Sequence, residues 1–268
     1  MKLSPSTRIS LRTVALGYLF VLLVLPLVII LFRTFERGIG AFIDSITTPA
    51  AISAFQLSLL IVAIVVPVNV VFGIVTALAL VRGNFPGRNL VQGIVDLPFA
   101  VSPVVVGVSL ILLWGAGGWF GGLEELGLEV IFNLPGMVIA TIFVTLPFVV
   151  REVEPVLHEI GDDQEQAAAT LGASGWQTFW RITLPAIRWG LTYGVVLTVA
   201  RALGEFGAVI MVSSALPGQS LTLTLLVHGR YINDHNTFGA YSAATLLMGI
   251  ALVTLLLMTL LERKRGEK

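Results

Sequence analysis

The chain has 268 residues, 56% of them hydrophobic and 12% charged, with a mean hydropathy of +0.93. Soluble domains carry about 25% charged residues, so composition alone marks an integral membrane protein. Sixteen basic residues balance sixteen acidic ones, which removes any electrostatic case for nucleic acid, and the lack of cysteine excludes disulfide frameworks, iron–sulfur clusters and thiol nucleophiles.

Lys2, Arg8 and Arg12 precede an apolar run over residues 14–32, long enough to cross a hydrocarbon core of about 30 Å. Arg33, Glu36 and Arg37 follow where a cleavage site would need small residues, so the run is predicted to be an uncleaved first span. A second span is predicted over 55–81, containing Pro67 and Asn69, and the basic turn 82–88 follows it. The third, 90–114, begins with DLPFAVSPVVVG, where Asp96, Pro98 and Pro103 indicate either a packing kink or an irregular backbone lining protein or water. Glycines at 115, 117, 118, 121 and 122 with Glu124, Glu125 and Glu129 make an external loop, and 136–150 form the core of a fourth span around Pro147.

Residues 151–189 are too charged to insert. Within them Asp162 and Glu165 have capping-box spacing, Gln166, Ala167, Ala168, Ala169 and Leu171 favour helix, and Gly172 stops it. Ser174 and Gln177 repeat the capping pattern, predicting a second short helix through Phe179 and Trp180 up to Pro185, which opens the next span; Trp176, Phe179 and Trp180 are either an exposed docking surface or interfacial anchors, and the Trp pair reads as anchors. The fifth span, 190–212, holds Arg201 and Glu205 four apart on one predicted helical face. A charge near the bilayer centre costs about 2.5–3.5 kcal/mol even on insertion scales, so both are expected to turn inward. They either line an anion path, together with Ser102 and Pro103, or fix helix packing as an ion pair. Residues 213–240 read as a polar, Gly-punctuated external loop, and the sixth span, 241–261, ends in the basic tail ERKRGEK.

Six spans put both termini on one side. That side carries twelve basic residues (Lys2, Arg8, Arg12, Arg82, Arg88, Arg151, Arg181, Arg188, Arg263, Lys264, Arg265, Lys268) against Arg33, Arg37 and Arg230 on the other. The positive-inside rule then places the termini and the 151–189 loop in the cytoplasm. None of the three lysines follows a Gly-rich loop, so ATP, if it is used, must be bound by another subunit. The GASG at 172–175 has the form used by rhomboid intramembrane proteases, but its Ser174 sits in a charged loop and the sixth span has no His. Ser174 is better read as a helix cap; His158, His228 and His235 lack metal-ligand spacing and are expected to be solvated.

The polar block resembles the signature of ABC-importer permeases. Gln166, Ala167 and Ala168 stand where that family carries Glu-Ala-Ala, Gly172 follows six after the first, and Ile182, Leu184 and Pro185 complete the motif in register. The departure is Gln166 at the first position, with Glu165 displaced by one. FPGR at 85–88, DLPFAVSPVV at 96–105 and RALGEFGA at 201–208 resemble sulfate and molybdate permeases, and VPVNVVFGI at 66–74, PFVVRE at 147–152 and LGASGWQ at 171–177 narrow the resemblance to the CysW-like family of sulfate/thiosulfate importers.

The resemblance implies an all-α, six-span type I importer permease forming one domain over 1–268, in a bacterial cytoplasmic membrane. Glu165, Gln166, Ala167, Ala168, Leu171, Gly172, Ala173, Ile182, Leu184 and Pro185 would form its ATPase-coupling element. It further implies no catalysis and no cofactor in this chain, ATP and Mg being bound by two CysA-like ATPase subunits. The other implied partners are a CysT-like second permease and an extracytoplasmic binding protein. Sulfate or thiosulfate is the expected cargo, with molybdate or tungstate as the alternative. The competing classes are a rhomboid-like protease and an ion-coupled carrier, the latter more often showing internal repeats and needing no polar docking loop.

Overall fold

A computed structural model describes residues 5–122 and 126–266. Lys2, Glu124, Glu125 and Lys268, which enter the charge pattern above, lie outside the described residues. The described chain is helical, with one isolated bridge between Phe132 and Ser213. Its elements are α1 (Pro5–Leu19), α2 (Leu25–Phe35), α3 (Gly38–Ile46), α4 (Pro49–Arg82), α5 (Arg88–Ala100), α6 (Pro103–Trp114), α7 (Leu134–Ile160), α8 (Asp163–Thr170), α9 (Gly175–Thr178), α10 (Leu184–Leu203), α11 (Gly207–Val212), α12 (Leu223–His228) and α13 (Thr237–Gly266). Short π-helical turns at Phe20–Val24, Phe179–Thr183 and Gly229–Asn233 join α1 to α2, join α9 to α10 and extend α12.

Among the described residues five helices are long and apolar enough to cross a membrane, and a sixth span forms if α5 and α6, bent by 112°, count as one. The predicted spans are present but longer, for example Pro49–Arg82 in place of 55–81. Pro67 and Pro147 do not break their helices. The central pair is α4 and α7, and their approach is set by small residues: a Cβ on Gly73 would fall 2.5 Å from Val149. Within it, Asn69 is fully buried and donates to Thr145 Oγ1 at 2.6 Å, a polar link that hydrocarbon would penalise if left open. α10 completes the inner layer, with Gly194 against the backbone of Val149.

Two apolar clusters fill this layer. One gathers Ile74, Leu80, Val95, Val149, Val153, Leu157 and Ile187 beside the loop that follows α7. The other, toward the opposite end, gathers Ala54, Ile61, Val65, Leu110, Met137, Val209, Val212 and Leu223. The first span stands apart: none of the apolar core of Ile9–Phe35 is buried, against half of that in Leu134–Ile160. Thr34 is its one buried residue in α2, sharing a 2.8 Å hydrogen bond with Thr245 of α13.

The 213–240 stretch is not simply a polar loop. It contains α12, whose Leu223, Leu225 and Leu226 are buried, and Leu223 N–H reaches Ser58 Oγ, well inside α4, at 2.9 Å. Gly and Pro residues around the run suggest a loop, whereas the core contributes enough apolar burial to fold LTLLVH inward. Arg230, counted among the external basic residues, is buried. It donates to the carbonyls of Ser45 (3.1 Å) and Gly239 (3.0 Å) and to Thr48 Oγ1 (2.9 Å), tying the start of α13 to that of α4. His228 is half-buried against Phe206, with ring centroids 5.2 Å apart, while His158 and His235 are exposed as expected.

Candidate coupling loop and intramembrane charge pair

The loop between α7 and α10 is built around a helix stop. At the end of α8, Ala173 N–H bonds to the Ala168 carbonyl and Gly172 N–H to that of Ala169, each at 3.0 Å, with Gly172 at φ +82°. This is a Schellman motif, in which the left-handed position favours glycine. It leaves Leu171 88% exposed, and α8 buries no residue at all. Gln166 and Ala167 are exposed and Ala168 and Ala173 half-buried, so the motif presents one face outward while Ala173 lines a cleft of about 340 Å³ with Glu165, Ala169 and Phe179.

The capping box predicted at Ser174 and Gln177 forms, with bonds of 3.4 Å and 2.9 Å. The one expected at Asp162 and Glu165 does not. Asp162 makes no side-chain cap and instead accepts the Gln166 amide at 2.7 Å, because Glu165 is drawn elsewhere. Nor does Pro185 separate a short helix from the span: Gly175–Leu203 runs as one helix, and the π-turn, with Leu184 N–H bonded to the Phe179 carbonyl, carries the ladder past the proline. Ile182 lies in that turn and Leu184 and Pro185 open α10. Trp176 and Trp180 remain exposed, their rings packed edge-on at 5.5 Å.

Glu165 points into the protein. Its Oε2 accepts Arg82 Nε at 2.9 Å and its Oε1 accepts Thr183 Oγ1 at 2.7 Å. Arg82, the last residue of α4, also donates to the carbonyls of Leu157 (3.2 Å) and Gly161 (2.5 Å), satisfying groups that the end of α7 leaves open. One guanidinium thus joins α4, α7 and α8, and Thr183 adds the π-turn before α10. The sequence reading missed Arg82 and Thr183. The available signal was an arginine closing an apolar span beside a displaced glutamate. A second clamp fixes the broken third span, where Arg151 of α7 grips Asp96 of α5 bidentately, with Nε to Oδ1 at 2.8 Å and Nη2 to Oδ2, and Gln92 reaches Glu154 at 3.2 Å.

The fifth span is itself broken. α10 ends at Leu203 and α11 begins at Gly207, so Arg201 lies in the last helical turn and Glu205 in the gap, not both on one continuous helix face. They still pair, Arg201 Nη1 lying 2.7 Å from Glu205 Oε2, with the arginine side chain 34% exposed and the glutamate 1%. Glu205 Oε1 accepts the Ala208 N–H at 2.8 Å, and the Glu205 carbonyl accepts Thr224 Oγ1 at 2.8 Å. The carboxylate therefore caps the positive end of α11 while the guanidinium sits at the negative end of α10, each favourable for the helix dipole it meets.

The break in the third span lies beside this one. Ser102 is the exposed residue before α6, without a side-chain cap bond, and Pro103 is its first helical residue. A Cβ on Gly207 would lie 3.0 Å from that of Pro103, and one on Gly107 would lie 2.6 Å from that of Met211, so α6 and α11 run side by side and parallel. Two interrupted helices thus start together, two residues beyond Glu205. Irregular backbone at this depth is tolerated where protein or a hydrated cavity surrounds it.

Comparison with known proteins agrees with this architecture. Residues 69–267 match the family described as binding-protein-dependent transport system inner membrane component. The chain is 49% identical over 254 residues to the sulfate transport system permease protein CysW of Synechocystis sp. (94% of this chain, 92% of that one) and 48% identical over 244 residues to the CysW of Escherichia coli (91% and 83%). It is 35% identical over 251 residues to the CysT of Synechocystis sp. (93% and 87%). In fold it is similar to a bacterial ABC transporter chain involved in alginate import, with a TM-score of 0.79 at 18% identity, covering 96% of this chain and 95% of that one. The chain belongs to the inner membrane component family of binding-protein-dependent transport systems, as a multi-pass permease of the CysW type.

Proposed function

We propose that this chain is a membrane-spanning subunit of an ATP-driven importer that carries sulfate into the cytoplasm, and that the loop around Gln166–Pro185 couples it to a separate ATPase. The observation that carries the coupling role is the Arg82–Glu165 link: it makes an exposed helix, tipped by Leu171, rigid with α4 and α7. A push on α8 then moves two central spans together. The cargo follows the near-full-length likeness to sulfate permeases, and Arg201 is the intramembrane positive charge suited to a dianion.

In this reading the termini and coupling loop are cytoplasmic, and ATP with Mg binds on two CysA-like ATPase subunits. A CysT-like permease completes the pore, and an extracytoplasmic binding protein delivers the anion. Gln166, Ala167, Ala168, Leu171, Gly172 and Ala173 form the docking element and Glu165 braces it from within; Ile182, Leu184 and Pro185 carry its motion into α10. Arg201 and Glu205, with Ser102 and Pro103 at the neighbouring break, line or gate the path. Uptake of labelled sulfate by the reconstituted complex, with thiosulfate, molybdate and tungstate as competitors, is the test. Uptake driven by ATP and inhibited by molybdate far better than by unlabelled sulfate would reassign the cargo.

A further inference from the structure

We propose that the groove between the first and last spans holds one phospholipid, its phosphate on Arg33 and Arg37 and an acyl chain in the apolar cavity beneath. Arg33 and Arg37 converge with Glu36, Thr237 and Tyr241 on a polar cavity of about 370 Å³ at the end of the Ile9–Phe35 span, the level of lipid headgroups. Two guanidiniums against the Glu36 carboxylate leave one net positive charge, matching a phosphodiester. Arg37 lies over the Phe238 ring at 4.7 Å, a contact that uses its face and leaves its N–H edge available, and Arg33 makes a single exposed bond to Glu36 at 3.1 Å.

Along the same two helices lies a second cavity of about 610 Å³, walled by Leu27 and Ile30 of α2 and by Ala244, Leu247 and Met248 of α13. Tyr231 lines this apolar cavity and Tyr241 the polar one, with their rings 6.4 Å apart. A polar, positively charged mouth over an apolar cavity fits an amphiphile and not a free anion. The inner wall is formed by Ala200, Leu203, Gly204 and Phe206 at the break that carries Glu205. A seated acyl chain therefore packs against the element proposed to gate transport. Assignment to the outer leaflet rests on the orientation proposed above, whereas the site itself does not.

Native mass spectrometry of the purified, delipidated importer complex, titrated with dioleoyl phosphatidylglycerol, tests this. The wild-type chain is expected to retain one lipid that excess sulfate does not displace. Arg33→Ala/Arg37→Ala should weaken binding about tenfold, the loss expected from one pair of charge-assisted bonds. Met248→Trp, which fills the cavity without touching the charges, should weaken it comparably. Each variant is compared only after it assembles with its partner subunits. No retained lipid in the wild type, undiminished binding in either variant, or displacement by sulfate, which would make the site one for free oxyanions, overturns the proposal.

Discussion

Arg82 and Glu165 stand 83 residues apart and share a hydrogen-bonded ion pair of 2.9 Å. Glu165, one place before the position where the resemblance expects a glutamate, bonds inward to Arg82 and Thr183 and so braces α8 against α4. Arg82→Ala and Glu165→Ala are expected to uncouple the importer alike, lowering ATP-driven uptake while the complex still assembles, and the double variant should be no worse than either. The coupling energy from a double-mutant cycle should be about 1 kcal/mol, modest because both side chains remain about a fifth exposed. Independent, additive losses of uptake would contradict a shared brace.

Gly172 has φ +82° and open space where a Cβ would stand, so a larger residue meets strain rather than a clash within the chain. Gly172→Leu should cost about 1–2 kcal/mol in the left-handed position and place bulk on the face proposed to meet the ATPase, whereas Gly172→Asn, better tolerated there, should retain more transport. Uptake normalised to assembled complex distinguishes them. Equal, normal uptake by both variants would remove this turn from the coupling element.

Because the protein has no cysteine, single cysteines report topology directly. Gly117 is exposed with nothing within 4 Å of an added Cβ, and Asp163 is exposed on α8. Gly117→Cys should react with a membrane-impermeant thiol reagent on intact cells and Asp163→Cys only after permeabilisation. The reverse pattern sinks the termini-inside orientation.

Glu205 has two tasks, pairing with Arg201 and capping Ala208, and is almost wholly buried. Exchanging the two charges would put a guanidinium at the positive end of α11, so Arg201→Glu/Glu205→Arg should fail whether or not Arg201 meets the anion. Glu205→Gln keeps an oxygen for the cap and should fold better than Glu205→Ala, which opens a buried donor at about 1–3 kcal/mol. Arg201→Lys, retaining charge without the guanidinium fork, should raise the sulfate concentration needed for half-maximal uptake if Arg201 contacts the cargo. An unchanged concentration dependence in that variant leaves only the packing role.

The spans and the helix–stop–helix of the polar loop could be read from the chain because each depends on local properties: apolar length and the spacing of caps and stops. Gly172 and the box at Ser174 and Gln177 formed as expected because every atom involved lies within a few residues. What lies far apart in the chain was decided only by packing. The link from Arg82 to Glu165, the clamp of Arg151 on Asp96 and the meeting of Pro103 with Gly207 join segments tens of residues or more apart, and no local pattern encodes their contact. The inward fold of residues 223–228 and the burial of Arg230 escaped for the same reason. Polar and Gly-rich punctuation signals a loop until a core supplies apolar burial and carbonyl partners that outweigh it.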